Sequence, residues 1–293
     1  MATLGMALAL LSALIYTAGS LFLKSAIGRG ATANQVNVFT NLLMALLVQP
    51  FWLFDRPDLP NAALWQPLLC GIIFFIAQIF TFTALTRGDV SVATPLLSTK
   101  IILVTLINAL LFGAPVSLRW WVAALIATLA VALIAGGLPH THRRAIGITV
   151  LCSFIAASLY SFTDALIQHW AGTFDTTAFL PAMFGITGLL TLIGFTLFDR
   201  RAFRPSRVAL PGLVTGGLLF GVQVTGFFFS IVLTLDATVA NVLYSSRSVW
   251  SVAAAWIGGH LLGLRDTEAG RGVMFRRLCG AILLFTAILL ILL

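Results

Sequence analysis

Residues 90–112 read VSVATPLLSTKIILVTLINALLF, an apolar stretch of membrane-spanning length with a single charge, Lys100, near its middle. A helix needs about 20 apolar residues to cross a hydrocarbon core. Residues 237–262, ATVANVLYSSRSVWSVAAAWIGGHLL, repeat this arrangement around Arg247. Each cation follows two hydroxyl residues, so the two stretches predict equivalent helices from two related halves of the chain.

The repeat extends well beyond these two helices. A shift of 144 residues early in the chain, and of 147 around Lys100, superposes further positions. The matches are Tyr16 with Tyr160, Gly28 with Gly172, Phe54-Asp55-Arg56 with Phe198-Asp199-Arg200, Pro67 with Pro211, Asp89 with Asp236, and 93–100 with 240–247. We therefore predict a first repeat over residues 1–138 and a second over 145–293.

The composition is that of a membrane protein. Of 293 residues, 60% are hydrophobic and 9% charged, whereas soluble domains carry about 25% charged residues. The net charge of +8 resides mostly in short loops, which argues against nucleic acid as a partner and for the lipid bilayer. Cys70, Cys152 and Cys279 lie in apolar runs without paired spacing, which predicts small buried side chains rather than disulfides or a metal site.

Apolar runs of spanning length occur ten times, each too long for a barrel strand. The predicted helices are 3–26, 34–54, 65–86, 90–112, 118–137, 145–170, 176–198, 209–233, 237–262 and 273–293. The fold class predicted is all-α and integral to the membrane. Because five is an odd number of spans, the second half enters the membrane from the opposite side, which makes the halves inverted repeats.

Loop arginines indicate the orientation. One side of the predicted topology has only Arg56 and Arg119. The other has twelve arginines: Arg29, Arg87, Arg143, Arg144, Arg200, Arg201, Arg204, Arg207, Arg265, Arg271, Arg276 and Arg277. Cytoplasmic loops are enriched in Lys and Arg, so this bias predicts both chain termini outside.

The two five-helix halves, Pro95-Leu96 in helix 4, and the matched basic residues of helices 4 and 9 resemble the drug/metabolite transporter superfamily, EamA type. The resemblance covers essentially the whole chain. It implies ten helices around a central cavity lined by helices 1, 3, 4, 6, 8 and 9, and alternating access. It also implies that Lys100 and Arg247 contact the substrate, as basic residues of these helices do in the phosphate-exchanging branch. Many members have both termini in the cytoplasm, the reverse of what the arginines predict here.

Three ionisable residues lie deep inside predicted helices, where charges are costly and usually functional. Lys100 and Arg247 suit an anionic group such as a carboxylate or phosphate. Asp164, well inside helix 6, has two alternatives: it carries a proton in coupled transport, or it neutralises one of the two cations in a closed core.

Polar and aromatic residues inside the helices are further candidates for the substrate site, or tie helices together. Tyr244 and Trp250 lie three residues either side of Arg247, on its face of the helix, where they can stack on a substrate or on the guanidinium. The remaining substrate-binding candidates are Tyr16, Tyr160, Gln78 and Asn241; Asn41, Asn108 and Gln223 share their polar character.

Two backbone features carry predictions of their own. Pro95 cannot donate a backbone hydrogen bond and should interrupt helix 4 just before Lys100, whereas Val242 occupies the matching place and predicts a less bent helix 9. In helix 8, the pairs Gly212 with Gly216 and Gly217 with Gly221 are spaced for close helix contact, and could also permit rocking.

The sequence thus favours a secondary active transporter, an exporter or exchanger of a small anionic or zwitterionic metabolite such as an amino acid or organic acid. The expected place is the plasma membrane, a bacterial inner membrane, with a monomer as the default and a proton or ion as the coupling species. The alternatives are a membrane-embedded enzyme, disfavoured because no catalytic set is clustered, and a channel or scaffold. No cofactor and no metal are expected.

Overall fold

The structure, a computed structural model, describes residues 1–53, 64–87, 96–97, 99–113, 117–135, 143–170, 176–247, 249–250 and 271–292. Within these ranges all regular secondary structure is helical. The ten α-helices are α1 (Ala2–Gly28), α2 (Ala33–Val48), α3 (Trp65–Arg87), α4 (Lys100–Leu111), α5 (Leu118–Ala135), α6 (Arg143–Trp170), α7 (Thr176–Phe198), α8 (Leu210–Thr234), α9 (Ala237–Tyr244) and α10 (Arg271–Leu292).

These ten helices follow the predicted order, which confirms the all-α class and the helix count for the described chain. Six segments of the described chain are long and apolar enough to cross a membrane: they lie in α1, α3, α6, α7 and α8, and in α2 together with the 3-10 helix Gln49–Leu53 that continues it. Shorter apolar segments occur in α4, α5 and α10. Exposed leucines and phenylalanines, such as Leu110 at 73% and Phe285 at 63%, suit a surface that faces lipid.

The glycines of α8 allow two close helix contacts. A Cβ on Gly212 or Gly216 would meet α1 at the Phe22 carbonyl or the Leu23 side chain. A Cβ on Gly217 would meet Leu43 of α2. The prediction that these glycines serve close helix contact is confirmed, and α8 is wedged between α1 and α2.

Helices 4 and 9 are interrupted at the same place. Ahead of α4, the Thr99 amide donates to the Leu96 carbonyl at 3.1 Å, a tight turn that ends where the helix begins at Lys100. After α9, the Ser246 amide donates to the Leu243 carbonyl, also at 3.1 Å, directly before Arg247. Each cation therefore follows a break; the interruption just before Lys100 was predicted, whereas the one before Arg247 was not.

The expectation of a less bent helix 9, drawn from Val242, is wrong because helix 9 is interrupted without a proline. Pro95 and Ser98 lie outside the described residues. A hydroxyl side chain bonds to the backbone at each break: Thr99 Oγ1 donates to the Leu96 carbonyl at 2.6 Å, and Ser245 Oγ to the Val242 carbonyl at 2.5 Å. Such local bonds compete with the backbone hydrogen bonds of a helix.

One end of the molecule is built around the arginine-rich loop between α7 and α8. Asn34 Nδ2, at the start of α2, donates to Asp199 at 2.6 Å. Gln35 Nε2 donates to the carbonyl oxygens of Arg201 and Arg204 at 3.4 and 3.2 Å. The structure therefore places this loop and the α1–α2 connection at the same end, as the predicted topology requires.

The cysteines follow their prediction in part. All three are free; Cys70 and Cys152 are buried, whereas Cys279 is partly exposed. The first two are small apolar side chains of the interior.

Candidate functional site

Lys100 and Asp164 form an ion pair between α4 and α6. Lys100 Nζ lies 2.8 Å from Asp164 Oδ2, and the side chains are 17% and 2% exposed. Of the two alternatives for Asp164, the contact with a cation is present in the structure. Buried charges are tolerated when they are paired and hydrogen-bonded, so this pair satisfies both of its members.

Asn241 of α9 completes the surroundings of the carboxylate. Its Nδ2 donates to Asp164 Oδ2 at 2.7 Å and to the Ala237 carbonyl at 2.8 Å. The ammonium of Lys100 lies over the ring of Phe227 at 5.0 Å and over that of Tyr160 at 5.6 Å. Three of the predicted site residues, together with Lys100, thus meet within one cluster.

Arg247 lies in a different setting, between two tyrosine rings. Its guanidinium carbon is 4.4 Å from the ring centroid of Tyr244 and 4.6 Å from that of Tyr16. In the part of the chain that the structure describes, no carboxylate lies within ion-pair distance of this guanidinium. These contacts stabilise the charge, and a guanidinium has five N–H donors, more than its side-chain hydrogen bond with Tyr244 occupies, so donors are left for an anion.

The tyrosines are held in place by their own contacts. The Tyr244 hydroxyl donates to Gln223 Oε1 of α8 at 2.6 Å. The Tyr16 and Tyr244 rings meet edge to face at 6.0 Å, and Tyr16 also packs on Phe220 at 4.9 Å. The orientation of the guanidinium is therefore fixed by α1, α8 and helix 9 together.

Residues that align in the two halves make equivalent contacts with the two cations. Ser161 Oγ, on α6, lies 3.0 Å from the carbonyl oxygen of Lys100. Thr17 Oγ1, on α1, lies 3.4 Å from the carbonyl oxygen of Arg247. The preceding residue of each pair, Tyr160 or Tyr16, places its ring on the same cation.

The correspondence between the two halves does not extend to the Asp164 carboxylate. The shift of 144 that superposes Tyr16 on Tyr160 puts Ser20 opposite Asp164. Ser20 Oγ donates to the Thr17 carbonyl at 2.7 Å and supplies no charge. The first half therefore has a hydroxyl at the position where the second half has the carboxylate that pairs with Lys100.

Two predicted residues lie apart from these contacts. Gln78 is buried on α3, and its Oε1 has no hydrogen-bond partner among the described residues. Trp250 is 42% exposed, one turn beyond Arg247. Sequence reasoning did not single out Thr17, Ser161 or Phe227; the alignment of Thr17 with Ser161, next to the paired tyrosines, was the available signal for two of them.

A small cleft joins the two cations. It is lined by Leu97, Lys100, Ile101, Val131, Asn241, Tyr244, Ser245 and Arg247. It has room for water but not for a metabolite, so a substrate enters only when side chains or helices move. Among the described residues, no group of three or more His, Cys, Asp or Glu side chains is arranged to hold a metal ion.

Comparison with known proteins finds a family match over the first half of the chain. The model of the EamA-like transporter family matches residues 3–136. No functionally curated protein matches the chain. Among solved structures, 29 chains match; one, described only as "Crystal structure of protein", has a TM-score of 0.78 and 16% identity over 99% of this chain and 98% of its own, which is a likeness of fold. The family match places the first half of the chain in the drug/metabolite transporter superfamily, and the described helices that are long and apolar enough to span a membrane agree with a transporter of that kind.

Proposed function

We propose that the protein is a secondary active transporter, an exporter or exchanger, that moves a small anionic or zwitterionic metabolite such as an amino acid or organic acid. The observation that carries the proposal is Arg247, a cation held by Tyr16 and Tyr244 without a carboxylate partner in the described chain. A buried cation inside a membrane protein needs a counter-charge, and a substrate carboxylate or phosphate supplies it.

The two cations have unequal parts in this proposal. Lys100 is neutralised by Asp164 at 2.8 Å, whereas Arg247 is not neutralised by any described carboxylate. The substrate anion therefore binds first to Arg247, where a planar guanidinium can hold a carboxylate or phosphate through two parallel hydrogen bonds. The rings of Tyr16 and Tyr244 position that guanidinium, and Asn241 and Tyr160 line the neighbouring Lys100 cluster.

The repeat provides the proposed mechanism. The equivalent contacts of Thr17 with Arg247 and of Ser161 with Lys100 cross between the halves in opposite directions. Such exchanged contacts support two inverted five-helix repeats that meet at the site, and alternating access follows if one repeat rocks against the other. The breaks before Lys100 and Arg247 are where irregular backbone is tolerated in a membrane, next to a polar cleft.

Orientation belongs to the same proposal. The arginine-rich loop between α7 and α8 lies on the cytoplasmic side of the plasma membrane, and both termini lie outside. A cysteine introduced at Ser206, which is exposed, tests this by labelling with a membrane-impermeant maleimide in intact cells. Labelling without permeabilisation would contradict the orientation.

A ligand screen by thermal unfolding tests the proposed function. The purified protein is heated with amino acids, organic acids and sugar phosphates, alongside Arg247→Gln and a control, Arg276→Gln, which removes an exposed arginine of α10. A ligand at a hundred times its Kd stabilises the folded state by about 2.7 kcal/mol. We expect at least one anion to raise the Tm of wild type and control but not of Arg247→Gln; equal shifts in all three would contradict the site.

A further inference from the structure

The net charge of the site depends on whether Asp164 is ionised or protonated. Lys100 and Arg247 are cationic, and Asp164 is the carboxylate that the structure brings to them. With Asp164 ionised the three side chains sum to one positive charge, and with Asp164 protonated they sum to two. A substrate that neutralises the site therefore carries one negative charge in the first case and two in the second.

The surroundings of Asp164 leave Lys100 as its main ionic partner. The helices packed against α6 are α3, α4, α8 and α9. Their titratable side chains near the carboxylate are Lys100 from α4, Cys70 from α3 and Tyr244 from α9, with Arg247 just beyond α9. The described residues of α8 include no titratable side chain.

A divalent anion cannot use both cations without a consequence for Asp164. If the second negative group binds Lys100, Asp164 keeps only the hydrogen bond from Asn241 at 2.7 Å. A buried ionised carboxylate without a cation is strongly unfavourable, and one proton removes that cost. A monovalent anion needs Arg247 alone and leaves the Lys100–Asp164 pair intact.

We propose that Asp164 matches the charge of the site to that of the substrate. Ionised, it occupies Lys100, and the site accepts a monovalent anion on Arg247. Protonated, it releases Lys100, and a divalent anion such as a dicarboxylate or a phosphate monoester binds together with one proton taken from the solvent. This inference rests on the proposed anion site at Arg247 and adds to it the coupling species and the substrate charge.

Two sulfonates are suitable probes because they stay ionised across the range where a carboxyl group titrates. Methanesulfonate carries one charge and ethane-1,2-disulfonate carries two. Their Kd values are measured on the purified full-length protein between about pH 5 and about pH 8. We expect the Kd of methanesulfonate to be the same at every pH. The Kd of the disulfonate should decrease as the pH is lowered, by up to tenfold per pH unit for one proton taken up.

Asp164→Asn is the matched variant because it keeps the shape of the side chain and removes the titration. In this variant both Kd values should be independent of pH. Proton uptake by the wild type in weakly buffered solution provides a second measurement that needs no variant. In the pH range where the Kd of the disulfonate changes tenfold per unit, one proton should be taken up per disulfonate bound, and none per methanesulfonate.

The outcomes separate this inference from the proposed function. If methanesulfonate binds and the disulfonate shows no pH dependence and no proton uptake, charge matching by Asp164 is overturned while the anion site stands. A pH dependence of the disulfonate that persists in Asp164→Asn would likewise overturn it. If neither probe binds the wild type at any pH, the anion site fails and the inference fails with it.

Discussion

The hydroxyl of Ser161 lies 3.0 Å from the carbonyl oxygen of Lys100, at the break where α4 begins. Its proton is shared, because the same oxygen lies 2.7 Å from the Ala157 carbonyl of its own helix. Thr17 repeats this geometry, with the Ala13 carbonyl at 3.1 Å and the Arg247 carbonyl at 3.4 Å. In both halves a hydroxyl thus ties the helix with the tyrosine to the helix with the cation.

Removing the Ser161 hydroxyl should weaken this tie. We expect Ser161→Ala to lower the free energy of unfolding by about 0.5–1.5 kcal/mol, the usual range for one hydrogen bond. Ser158→Ala is the control: the Ser158 hydroxyl bonds to its own helix at the Phe154 carbonyl, 2.9 Å away, and Ser158 is partly exposed. Thermal unfolding in detergent compares the two, and an equal loss in both would show that the contact with Lys100 contributes nothing.

Replacement of Lys100 should lower the stability of the folded protein. Lys100→Met leaves Asp164 buried without its cation, which typically costs about 3–5 kcal/mol when one partner of a buried pair is removed. Lys100→Met combined with Asp164→Asn removes both charges and should recover most of that loss. The Tm values of the single and double variants decide; a single variant as stable as wild type would contradict the pairing.

Asp236 predicts a pH dependence away from the site. It lies in the turn between α8 and α9 and caps α9 by accepting from the Val239 amide at 2.9 Å. Burial raises the pKa of this carboxyl above its usual value, although its hydrogen bonds oppose that effect. The folded state therefore holds the proton more tightly than the unfolded chain, and the resulting stabilisation is lost as the pH rises through the folded-state pKa.

Asp236→Asn keeps a good cap and removes this titration. We expect the Tm of Asp236→Asn, relative to that of the wild type, to increase as the pH rises from about 4 to about 8. Asp236→Ala loses the cap and should be less stable than Asp236→Asn at every pH, by about 0.5–2 kcal/mol. A constant difference between wild type and Asp236→Asn across the range would mean that Asp236 has an ordinary pKa.

Gly71 and Gly147 offer a paired test of helix packing. A Cβ on Gly71 of α3 would clash with the Met183 carbonyl oxygen and the Ile186 side chain of α7, whereas one on Gly147 of α6 meets nothing. Gly71→Ala should destabilise the fold by about 1–3 kcal/mol, as overpacking does. Gly147→Ala should be neutral or stabilise by up to about 1 kcal/mol. Thermal unfolding measures both, and similar Tm values would argue against the α3–α7 contact.

Much of the fold could be predicted because apolar runs of spanning length determine helices in a membrane. The repeat also singled out Lys100, Arg247, Tyr16 and Tyr160, since aligned positions were expected to meet near a common centre. The break in helix 9 was not predicted because only a proline was considered as its cause, whereas the break occurs at Ser245 and Ser246, where the Ser245 hydroxyl bonds to the Val242 carbonyl.

The unequal treatment of the two cations could not be predicted. Asp164 has no charged counterpart in the first half, where Ser20 aligns with it, so the repeat gives no information on which cation it neutralises. That depends on how α6 packs against α4 and on Asn241, whose amide holds the carboxylate at 2.7 Å. Spacing along the chain does not determine such contacts between helices.

The central claim is that Arg247 holds a substrate anion that crosses the membrane. Uptake into proteoliposomes tests it most directly, with labelled amino acids, organic acids and sugar phosphates offered to wild type, Arg247→Gln and Arg276→Gln under imposed ion and proton gradients. We predict that at least one of these solutes accumulates with wild type and Arg276→Gln, and none with Arg247→Gln. If no organic solute moves under any gradient while hydrolysis or ion conductance appears, or if Arg247→Gln transports as the wild type does, the account is contradicted.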